Sequence, residues 1–103
     1  MSSFRLTSDA ENDLNLIWDF IAQDNLEAAN RVLNELQGAM ELLAEMPEMA
    51  QKRPGLSKIY PNLRAWPLPD YPNYLVFYLP VEDRIMVIRI LHGARNIVDI
   101  FGE

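Results

Sequence analysis

The stretch Arg84-Ile85-Met86-Val87-Ile88-Arg89-Ile90-Leu91-His92-Gly93-Ala94-Arg95-Asn96 decides how the chain folds. Every residue from Ile85 to Leu91 except Arg89 is apolar, and four of them are β-branched. That pattern suits a strand buried on both faces, at the centre of a sheet. At its end stand the single histidine of the chain, a glycine and an arginine, so polar groups collect where the strand leaves the core. Plain alternation puts Arg89 and Leu91 on one face and Ile88, Ile90 and His92 on the other, so Arg89 and His92 converge only through a bulge or twist.

Upstream, Pro80-Val81-Glu82-Asp83 has the length of a hairpin loop and joins this strand to a second one, Tyr74-Leu75-Val76-Phe77-Tyr78-Leu79. Pro69 to Asn73 reads as a turn, and Asn62-Leu63-Arg64-Ala65-Trp66 reads as a strand that Pro67 ends. The second half of the chain is therefore an antiparallel meander. From Pro47 to Pro61 no periodicity survives. That segment holds three prolines, Gly55 and the basic trio Lys52, Arg53 and Lys58, and it reads as a loop whose cations are either solvated surface or one wall of a partner-binding groove.

The first half is helical. Phe4-Arg5-Leu6-Thr7 can form a short strand, and Ser8-Asp9-Ala10-Glu11 matches a capping box that opens a helix. Ala10, Leu14, Ile17 and Ile21 form its apolar stripe with Trp18 beside it, leaving Asp9, Asn12 and Asp13 to face water. Gln23-Asp24-Asn25 breaks the pattern. A longer amphipathic helix follows, with Ala29, Val32, Leu33, Leu36, Met40, Leu43 and Met46 in helical spacing up to Pro47. Neither helix can bury its stripe alone, so the two should pack as a hairpin against the sheet. Gly38 inside the second helix costs roughly 1 kcal/mol relative to alanine unless close packing requires it. The expected fold is α+β: an N-terminal helical hairpin packed on a small antiparallel sheet, in one domain over residues 1–103.

Composition narrows the function. The longest apolar runs are far too short to span a bilayer and no signal pattern opens the chain, which leads us to expect a soluble cytoplasmic protein. The chain has no cysteine and one histidine, so no disulfide framework, thiolate chemistry, structural zinc or other cofactor is expected. Residues 1–50 carry two arginines against ten acids, whereas residues 51–103 carry seven cations against five acids. The strongly acidic first half argues against broad nucleic-acid binding, while a local basic pocket stays open.

Arg89-Ile90-Leu91-His92-Gly93-Ala94-Arg95, at the end of a hydrophobic strand late in a chain of this length, resembles the ParE branch of the ParE/RelE superfamily. Its members are the toxin halves of bacterial type II toxin-antitoxin modules, often tied to plasmid stabilisation. The resemblance implies a helical hairpin packed on a twisted sheet and a toxin that inhibits DNA gyrase by binding it, not by an enzymatic reaction. It also implies a cognate ParD-like antitoxin whose flexible segment winds over the hairpin and sheet. By the same resemblance, Arg64, Arg89, His92 and Arg95 are the candidate target-binding residues. Leu16, Trp18 and Phe20 lie partly off the apolar stripe and are candidate antitoxin contacts, or else they complete the core.

Two alternatives belong to the same superfamily. In a RelE-type ribosome-dependent mRNA endonuclease, Arg64, Arg89, His92 and Arg95 would have to line one phosphate-accepting pocket and move the 2′-hydroxyl proton. In a non-toxic antitoxin-bound relative, they would serve the fold. Leu75 stands where an arginine commonly follows the strand tyrosine, and the chain is unusually acidic; both features motivate that last reading. A lone histidine at a strand end is often a hydrogen-bonding structural residue, and Arg89 in an apolar strand calls for an acidic partner such as Asp99, or for a route to the surface.

Overall fold

A computed structural model of the chain describes residues 3–101. In order, the elements are β1 (Phe4–Leu6), α1 (Ser8–Ala22), α2 (Leu26–Glu45), β2 (Gln51–Lys52), β3 (Arg64–Leu68), β4 (Tyr71–Val81), β5 (Arg84–His92) and α3 (Ile97–Phe101). The strands form one sheet in the order β1-β5-β4-β3-β2. As the apolar run suggested, β5 lies inside the sheet between two neighbours. The sheet is mixed, however, because β1 runs parallel to β5 while every other pair is antiparallel. This corrects the expectation of a purely antiparallel sheet. The long excursion through both helices and strands β2 to β4 returns the chain alongside β1 in the same direction, which a short hairpin connection cannot do.

Further boundaries differ from the sequence reading, and β4 begins at Tyr71, inside the stretch Pro69 to Asn73 that reads as a turn. The β4–β5 connection is only Glu82-Asp83, with Glu82 at φ 56°, because Pro80 and Val81 remain paired with Ile85 and Arg84. Strand β3 runs through Pro67, which sits opposite Leu75. The neighbour on the other side, β2, pairs only with Arg64 and Ala65, so Pro67 withholds no hydrogen bond from it. Lys52, placed in a loop by its prolines and glycine, belongs instead to that short β2.

The helices cover one face of the sheet. Val32, Leu36, Met40 and Leu43 of α2 and Ala10 of α1 share a core with Val76, Tyr78, Ile85, Val87 and Ile90. Trp18 Nε1 donates to Asn30 Oδ1 at 3.0 Å across the turn that joins α1 to α2, which fixes them as a hairpin. On the opposite face, Phe77, Ala65, Ile88 and Leu91 pack against Leu63 and against Phe101 of the five-residue α3. The Phe77 and Phe101 rings lie 4.9 Å apart.

Strand β5 carries a bulge. Phe77 faces Arg89 and Tyr78 faces Val87, so Ile88 has no opposite residue. The extra residue resets the alternation: Val87 and Ile90 share the helix-side core, while Ile88 and Leu91 share the other. Ile88 and Ile90 are therefore on different faces, contrary to plain alternation.

Strand β1 ends at Leu6, and α1 takes over its place beside β5. Thr7 caps α1, its Oγ1 accepting from Ala10 N and donating to Ile88 O at 2.8 Å, while Thr7 N donates to Val87 O. The cap is thus Thr7, one residue before the serine that the capping-box pattern favours. One turn and a half further on, Asp13 Oδ2 accepts from Ile90 N at 3.0 Å. Side chains of α1 satisfy backbone groups that a longer β1 would have paired.

Candidate functional site

The sheet delivers the end of β5 to the side of α1. There His92, opposite Tyr74 in the ladder, receives that ring edge-on with centroids 5.1 Å apart. His92 Nδ1 accepts from Ala94 N at 3.0 Å, and His92 O accepts from Arg95 N. A neutral His92 held this way carries its proton on Nε2, so the ring can donate a hydrogen bond. Gly93 N donates to Asn73 O, and a methyl group at Gly93 would meet only ordinary contacts. Burial raises the pKa of the Tyr74 phenol and keeps it protonated beside His92.

These residues border a cleft of about 740 Å³ between α1 and the end of β5. Ile17, Ile90 and Leu91 are among its apolar lining residues, and Leu16 and Phe20 line it from α1. Leu16 and Phe20 are spaced four apart on one helical face and are 53% and 70% exposed. His92 and Arg95 supply donors, with Asp19 and Gln23 also on the lining. The structure therefore brings two of the candidate antitoxin contacts and two of the candidate target residues into one cleft. Trp18 lies elsewhere, half-buried in a groove of about 580 Å³ on another side of α1.

Arg89 does not reach that cleft. Its Nε and Nη2 donate to the two oxygens of Asp13 at 2.7 and 2.9 Å, and its free side borders a smaller cavity with Thr7, Ser57, Tyr60 and Phe101. Donating these hydrogen bonds to Asp13 raises the Arg89 pKa beyond its already high value, against the opposing effect of burial. The partner is thus Asp13, not Asp99, whose carboxylate accepts instead from Asn96 Nδ2. Asp13 is 3% exposed and corrects the expectation that it faces water. Its position between Ala10 and Ile17, one residue from Leu14, places it on the apolar stripe itself, and an acid there signals a buried partner.

Arg64 is also occupied. From β3 its Nη1 donates to the carbonyls of Glu48 and Ala50, beyond the end of α2, and Tyr78 Oη donates to Pro47 O at 2.8 Å in the same place. Of the four polar candidates, only His92 and Arg95 line a common cleft; Arg64 and Arg89 hold distant parts of the chain to the sheet. Among the described residues, no group of three or more acids and histidines is arranged to hold a metal ion. No described helix is long and apolar enough to cross a membrane.

A two-helix hairpin laid over a five-stranded mixed sheet, with an exposed apolar cleft beside the end of β5, is an α+β fold of the RelE/ParE-like class. A chain from a solved structure titled as the chromosomal ParDE TA system from P. aeruginosa shares this fold at a TM-score of 0.70. It is 22% identical, and the match covers 89% of this chain and 96% of that one. Toxin ParE1 of Caulobacter vibrioides is 33% identical over 97 residues, covering 93% of this chain and 94% of the relative. The family described as the ParE toxin of the type II toxin-antitoxin system parDE matches residues 4–97. The chain belongs to the ParE toxin family.

Proposed function

We propose that the chain is a cytoplasmic toxin that binds DNA gyrase and is neutralised by a ParD-like antitoxin, without itself catalysing a reaction. The observation that carries this reading over the ribonuclease alternative is the dispersal of the four polar candidates. Cleavage through a 2′-hydroxyl needs a proton acceptor and several cations around one phosphate. Here the Arg89 guanidinium is engaged by Asp13 and the Arg64 guanidinium by loop carbonyls, leaving His92 and Arg95 beside an apolar cleft. A cleft with an apolar floor and two donors at its rim suits recognition of a protein surface better than phosphate chemistry.

In this reading, Leu16 and Phe20 receive the antitoxin segment, which covers His92 and Arg95 and so blocks the target. Trp18 extends the contact to the other side of α1. The experiment is inducible expression of the chain with and without the adjacent open reading frame, read by a DNA-damage reporter and a transcript-cleavage assay. We expect DNA damage and growth arrest without cleavage of translated messages, and relief by the neighbouring product. Rapid message cleavage without early DNA damage would transfer the function to the ribosome. No arrest from an accumulating, folded chain would make this a non-toxic partner.

A further inference from the structure

We propose that the groove on the Trp18 side of α1 takes a cationic amphipathic segment of a partner protein. The apolar side chains of that segment would lie on Trp18 and Leu33, with lysine or arginine side chains on Glu11 and Asp19. The two grooves beside α1 differ in charge. The cleft at the end of β5 sets Arg95 against Asp19, and its other carboxylate, Asp13, is already paired with Arg89, so it selects no one sign. The Trp18 groove has an apolar base of Leu6, Leu14, Trp18 and Leu33, and its only charged lining residues are Glu11 and Asp19.

The surroundings add no cation to that groove. Residues 8–45 contain nine acids and one basic residue, Arg31, and Arg31 is not on the lining. Leu6 lines the groove and, with Phe4, packs on the helix-side core, so alternation along β1 turns Arg5 to the opposite face of the sheet. The cation of β5 on the α1 side, Arg89, is already bound to Asp13. A partner with an acidic facing side would meet uncompensated repulsion here, whereas a basic one gains both apolar burial and charge complementarity. This rests on the antitoxin reading only for the identity of the partner; the chemistry of the groove stands without it.

The test uses a short leucine-lysine amphipathic peptide and a leucine-glutamate peptide with the same apolar face. Each is titrated into the Trp66→Phe chain, whose emission then reports Trp18 alone, after circular dichroism has shown the variant folded. The lysine peptide should bind and shift the Trp18 emission, and the glutamate peptide should bind at least about ten-fold more weakly, as expected from two screened charge contacts. Glu11→Gln with Asp19→Gln should weaken lysine-peptide binding by about the same factor, whereas Glu82→Gln with Asp83→Asn, which removes equal charge outside the groove, should not. Equal binding of both peptides, or equal loss in both variants, would overturn the proposal. With the neighbouring gene product, tighter binding to Glu11→Lys/Asp19→Lys would overturn the charge assignment yet leave the antitoxin reading standing, and failure to neutralise would do the reverse.

Discussion

The two borders of the sheet close in different ways. On the β5 side, the edge left open beyond β1 is sealed by Thr7 and Asp13 of α1, and Asp13 joins a backbone amide and an arginine 76 residues away in sequence. On the β3 side, Arg64 and Tyr78 reach out from the sheet and gather the carbonyls of residues 47–50. The first border depends on the identity of one buried carboxylate. The second depends on donors long enough to find any of several carbonyls, and it should tolerate substitution better.

That contrast can be broken most severely at Asp13. Asp13→Ala leaves the Arg89 guanidinium unpaired and the buried Ile90 amide unsatisfied, and we expect a loss of about 3 kcal/mol in urea unfolding. Arg89 is partly solvent-exposed, which holds the figure at the low end for buried pairs. Asp13→Asn keeps an acceptor for Ile90 N and should cost about half as much. If Asp13→Ala proved no worse than Arg64→Ala, for which we expect about 1.5 kcal/mol, the proposed asymmetry between the borders would be wrong.

Tyr78→Phe sharpens the second border. Losing the bond to Pro47 O should cost about 1 kcal/mol at neutral pH. Burial raises the Tyr78 pKa above 10.0, with the Ala50 backbone and the Arg64 charge offsetting it only in part. A raised folded-state pKa contributes stability that is whole below the unfolded value of about 10 and disappears as pH rises through the folded one. Unfolding free energy should therefore fall above about pH 10 and fall less steeply in Tyr78→Phe, once the contribution of Tyr74, raised for the same reason, is subtracted.

The smallest effect lies away from both borders. A methyl group at Gly38 would meet nothing within 4 Å, so packing does not require that glycine. Gly38→Ala should raise stability by about 0.5–1 kcal/mol by thermal unfolding, and a decrease would show a constraint on α2 that the isolated fold does not contain.

The helices and the three long strands were legible because their signals are local. The apolar spacing of α2, the turn at Gln23-Asp24-Asn25, whose Asn25 caps α2, and the apolar run of β5 each announce themselves within a few residues. The parallel pairing of β1 was not legible, since nothing in Phe4-Arg5-Leu6 names its partner. The bulge at Ile88 was equally hidden: it depends on the register with β4, and it moves Ile90 and Leu91 to the faces opposite those given by counting in twos. Of the candidate site, the strand-end position of His92 followed from the apolar run and its polar end. The partner of Arg89 did not, because Asp13 was read as one of the solvent-facing acids of α1 when its spacing from Ala10, Leu14 and Ile17 sets it on the buried stripe.

The bonds from Thr7 to Ile88 and from Asp13 to Ile90 also impose a schedule on synthesis. At roughly 5–20 residues per second, a ribosome needs on the order of 4–16 seconds to proceed from the first member of such a pair to the second. Throughout that interval the strand on which α1 packs and beside which β1 lies is missing, and the cleft beside His92 does not exist. The cleft can form only after β5 has left the exit tunnel, and a message cut short before codon 88 yields fragments that cannot complete it.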